Sequence, residues 1–79
     1  MTEDSSAVAT DLNQRRVALT FQVETLRLRA LAEGYGDLAA WCLTIHAAAW
    51  ASGTRTLRDE LPGWERDARR LASRLRPVH

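Results

Sequence analysis

Lysine is absent from this chain, and all eleven of its basic residues are arginine. The bias is most simply that of a GC-rich genome, such as an actinobacterial one, and carries no chemistry. A single cysteine, Cys42, excludes an internal disulfide framework, so the 79 residues must be held by packing alone. Nowhere do apolar and polar residues alternate for long enough to make a sheet. The formal net charge of +1 excludes a whole-molecule field that would draw the chain onto nucleic acid or an anionic membrane. Met1–Ser6 is acidic and polar and lacks the basic-then-apolar order of a secretory signal. We therefore read residues 1–5 as a flexible lead and expect a cytoplasmic protein. No diagnostic catalytic, metal-binding or phosphate-binding motif is present.

What remains is helical periodicity, which predicts an all-α fold of one domain over residues 6–76, with 77–79 as a tail. Leu12, Leu19, Val23, Leu26 and Ala30 keep a four-three rhythm, with Val8 one turn earlier and Arg16 in the remaining place. Val17, Phe21, Leu28 and Ala32, with Leu31 beside them, form a second seam on the far side of the same helix, about 160° away. Gly34-Tyr35-Gly36-Asp37 breaks the pattern: Gly34 suits the left-handed residue that closes a helix, and Asp37 suits a cap for the next.

From Leu38 to Thr54 no side chain is charged, and the stretch holds Trp41, Cys42, His46 and Trp50. Its apolar part is only about fourteen residues, a length that reads as core helix and not as a membrane span. Leu43, His46, Trp50, Leu57 and Leu61 stay in phase if the helix runs on through Gly53, so the expected second helix is 38–60, ended by Leu61-Pro62-Gly63. The expected third is 63–76, with Trp64, Ala68, Leu71 and Leu75 on one stripe, stopped by Pro77. Folding about the turn gives a long antiparallel hairpin plus a short amphipathic helix. A chain this short hides only ~60–65% of the surface its unfolded form exposes, yet the first half of helix two is apolar all round. Dimerisation to a larger bundle, as a homodimer or with a helical protein partner, is the expected remedy. The expected interface comprises Leu12, Arg16, Leu19, Phe21, Val23, Leu26, Leu28, Trp41 and Ile45. Arg16 would set the assembly by pairing with Asp59 or Glu60.

The function expected from this pattern is a non-catalytic interaction or accessory module. Two alternatives stand beside it. A small enzyme or ligand-binding bundle would use a pocket lined by Trp41, Cys42, His46 and Trp50. Cys42 and His46, four apart, could ligate one metal ion, though two ligands make no motif; no metal or cofactor is expected. The other alternative is an anionic partner, nucleic acid or acidic protein, bound by Arg66, Arg69, Arg70, Arg74 and Arg76, against which only Glu65 and Asp67 stand.

Long, medium and short helices in about eighty residues resemble the all-helical chorismate mutases, intertwined dimers with arginines around a dicarboxylate. The resemblance implies a role for Arg15, Arg16, Arg27 and Arg29, but it is architectural and matches no family spacing. The helix-break-helix outline is also similar to the secreted WXG-type hairpins. Here, however, Trp50 and Gly53 lie one position too far apart and outside the turn.

Overall fold

The computed structural model describes residues 2–75, with side chains from Ala7 onward. Within that range the protein is three helices without a strand: α1 (Thr2–Ala32), α2 (Gly36–Ala51) and α3 (Thr54–Arg74). The expected lead at 1–5 is helical backbone from Thr2, in keeping with a segment that holds neither proline nor glycine. Arg76 and the tail at 77–79 lie outside the described residues.

The first turn forms as its residues dictate. Gly34 is the one described residue with positive φ, at 83°, and its N–H donates to the Leu31 carbonyl while that of Tyr35 donates to Ala30. These are the two bonds of a Schellman closure, with glycine where a Cβ would be strained. Asp37 does not cap α2. Tyr35 occupies the cap position without a side-chain bond, and Asp37 lies inside the first turn, where its charge still suits the helix dipole.

The second boundary differs from expectation. Ser52 and Gly53 are both extended, with ψ of 139° and 178°, so the helix predicted over 38–60 breaks there and α3 begins at Thr54. Helix α3 then runs straight through Pro62 and Gly63, the residues expected to end its predecessor. The reason lies in phase. Leu57, Leu61, Trp64, Ala68, Leu71 and Leu75 follow an unbroken four-three-four-three-four rhythm, and all but the half-buried Trp64 are buried. Pro62 points away from that stripe and is exposed, so water can satisfy the carbonyl that its missing N–H leaves free.

Helix α1 is the hub: it packs along both α2 and α3, which hardly touch each other. Its first seam, Leu12, Leu19, Val23, Leu26 and Ala30, closes the core against Ala39, Cys42 and Ile45 of α2 and the α3 stripe. Arginines of α1 strap the other two helices to it. Arg15 makes a forked pair with Glu65, at 2.6 and 3.1 Å. Arg16 donates to the Ser52 carbonyl at 3.3 Å and Arg29 to the Leu75 carbonyl at 3.3 Å, so each meets the C-terminal end of a helix, where a cation is favoured.

Candidate functional site: an uncovered apolar face

Once the first seam of α1 is buried, the second seam has nothing left to cover it. Phe21 is 78% exposed and Leu28 57%, with Val17 and Leu31 also exposed. Stepping about 100° per residue places these four on the side of α1 opposite its core. On α2 the buried positions Ala39, Cys42, Ile45 and Ala49 define the inner side, and Leu43 (58% exposed) and Trp50 (48%) fall beyond it. Ala40, Thr44 and Ala47, all exposed, continue that outer side without a charge. Along the α1 strip, from Thr10 to Ala32, Glu24 is the one charged residue. It is bound to Arg27, whose hydrogen bonds hold its carboxyl below the usual range, helped by the nearby His46.

Six large apolar side chains exposed to this degree present on the order of 600 Å². That sum over the six side chains compares with the ~800 Å² that each side gives to a stable interface. At the open end of the hairpin, Arg16 lies over the Trp50 ring, 5.0 Å from its centre, and also donates to Asn13. Its Nε is buried without a partner. Among the described residues Arg16 pairs with no carboxylate, neither Asp59 nor Glu60, and donates instead to the Ser52 carbonyl.

The expected interface residues therefore divide. Leu12, Leu19, Val23, Leu26 and Ile45 lie inside the single chain, and Trp41 is half-buried against the core. Phe21 and Leu28 remain on the surface, with Arg16 at its rim. The expected pocket divides as well. Trp41 and Trp50 sit on opposite sides of α2, and the two main grooves among the described residues are lined by neither Cys42 nor His46. Trp41 instead floors an open groove of about 210 Å³ with Leu38, Leu71, Asp67, Arg70 and Arg74, which is small for a ligand site (typically ~300–1,000 Å³). No group of three metal-ligating side chains exists among the described residues.

Cys42 is buried, and that burial pushes its thiol above the ordinary value, against a smaller pull from Arg27. A buried, protonated thiol is a poor nucleophile. We expect 5,5′-dithiobis(2-nitrobenzoate) to label Cys42 at least tenfold more slowly in the native protein than in urea. Equal rates would reinstate a reactive thiol.

The arginines suggested by the chorismate-mutase resemblance do not converge. Arg15 and Arg27 are taken by Glu65 and Glu24, while Arg16 and Arg29 hold helix ends. Arg66, Arg69, Arg70 and Arg74 are exposed on α3; Arg76 lies outside the described residues. The longer α3 adds Arg55 and Arg58 but also Asp59 and Glu60, so the added turns bring no net charge, and the six arginines of α3 stand against four carboxylates. No described helix is long and apolar enough to cross a membrane. Comparison of the chain with known protein families, curated proteins and solved structures finds no match.

Proposed function

We propose that the protein is a non-catalytic helical interaction module that works through the outer face of α1 and α2, which a second copy of the chain covers. The observation that carries this reading is the exposure of Phe21, in the middle of an α1 strip with only one charge. A phenylalanine left this exposed lies outside its own chain's core, and exposed apolar surface of this extent marks an interaction surface. Two copies joined through it would form a larger bundle with the first half of α2 covered on both sides.

Light scattering tests the reading. The expected molar mass is twice the chain's 8.9 kDa at tens of micromolar. Phe21→Asp is expected to raise the dissociation constant by a factor of about 30 to 1,000, as loss of a central aromatic anchor typically does. The helical circular dichroism should persist, since Phe21 is not part of the core. A wild-type mass of 8.9 kDa at all concentrations would exclude the homodimer and leave a helical partner of different sequence as the occupant.

A further inference from the structure

Along its length α3 carries six arginines against four carboxylates, but around its circumference the two signs are sorted. The buried stripe of Leu57, Leu61, Ala68, Leu71 and Leu75 fixes the outward direction of the helix, and each residue is placed from it in steps of about 100°. Arg55, Arg66, Arg69 and Arg70 fall within about 60° of that direction and Arg58 within about 80°, all of them exposed. Of the carboxylates only Asp59 shares the face. Glu60, Glu65 and Asp67 sit about 100° or further round, and Glu65 is taken by Arg15. Arg74 stands at the edge, where it borders the turn groove with Asp37.

Among the described residues Arg55, Arg58, Arg69 and Arg70 enter no ion pair, and the pair of Arg66 with Asp67 is long, at 4.0 Å. Between the charges stand only Pro62, Gly63 and Ser73. The face therefore lacks the aromatic or aliphatic anchor that holds a protein partner, and the ring on which single-stranded bases would stack. A phosphate backbone requires neither, because cations alone hold it. From Arg55 to Arg70 the row runs roughly 22 Å, which matches about six steps of one strand of a duplex. We infer that this face of α3 binds the phosphate backbone of a nucleic-acid duplex without reading its sequence. The net charge of +1 lends no long-range attraction, so the contact is local and gives way to salt. A second copy on the outer side of α1 leaves the row open, since α3 turns it away from α1.

Fluorescence anisotropy of a labelled DNA duplex of about 20 base pairs, titrated with the full chain at roughly 50 and 100 mM NaCl, tests the inference. The expected dissociation constant is micromolar and rises roughly six- to twelvefold between the two salts, as three to four neutralised phosphates require. The double variant Arg66→Gln/Arg69→Gln is expected to weaken binding at least about fivefold and to reduce the salt effect to roughly threefold. Both side chains are exposed and hold no helix end, so the circular dichroism should not change. Arg27→Gln, which removes a charge from α1, should leave the dissociation constant within about twofold. No binding up to about 100 μM chain at the lower salt, or equal losses from the α3 variant and from Arg27→Gln, would overturn the inference. Tighter binding of poly-L-glutamate of equal charge, in competition with the duplex, would also overturn it and assign the face to an acidic protein.

Discussion

Pro62→Ala is expected to stabilise the protein by about 2–3 kcal/mol, raising the midpoint of thermal unfolding by roughly 10–20 °C. Pro62 lies nine residues into α3, where it removes one backbone hydrogen bond and crowds the preceding turn. Alanine restores the bond without touching the core, because the position is exposed. Proline does stiffen the unfolded chain, but that effect is worth only ~0.4–1 kcal/mol and does not reverse the sign. Gly63→Ala should add about 1 kcal/mol. Its new methyl would meet only the Arg66 guanidinium, at 3.7 Å, an ordinary contact. Melts of all variants at one protein concentration, followed by circular dichroism, check both changes. An unchanged or lower midpoint for Pro62→Ala would mean that a helix ends at Leu61, as the local sequence suggests.

That disagreement between local and global signals marks the limit of what the sequence makes legible. The first seam of α1 could be read directly, because a four-three rhythm over some twenty residues has no other structural meaning. Gly34 could be read too, since its turn needs a residue tolerant of positive φ. The second break could not. Pro62-Gly63 carries the stronger breaking signal, yet continuing α3 through it keeps Leu57 and Leu61 on the same buried stripe as Ala68, Leu71 and Leu75. Burying a leucine is worth roughly 2 kcal/mol. Several such side chains outweigh the ~4 kcal/mol that a proline and a glycine cost inside a helix. The chain therefore breaks at Ser52-Gly53, where no buried stripe is lost. The candidate site was partly legible for the same reason. The second seam of α1 announced a surface in need of cover, but which leucines of α2 belong to that surface depends on where α2 stops.

Leu61→Ala and Leu43→Ala separate the two geometries most sharply. A helix continuous through Gly53 would put both leucines on one seam and give them similar weight. The break decouples them: Leu61 is fully buried, among the largest enclosed side chains of the protein, whereas Leu43 is 58% exposed. Truncating Leu61 is expected to cost 2–5 kcal/mol, because the loss of its transfer energy is compounded by a cavity between α3 and α1 that the packed surroundings fill only in part. Against a total of ~4–12 kcal/mol for a chain of this size, that change removes cooperative unfolding or lowers its midpoint by tens of degrees. Leu43→Ala is expected to leave the stability of the separated chain within about 0.5 kcal/mol. Its effect should fall on association, as a weaker dimer whose midpoint depends more steeply on concentration. Urea unfolding at low concentration, where chains are separate, and light scattering at high concentration isolate the two quantities. Equal loss of urea stability from both substitutions would put Leu43 in the core and remove it from the face proposed for a second copy.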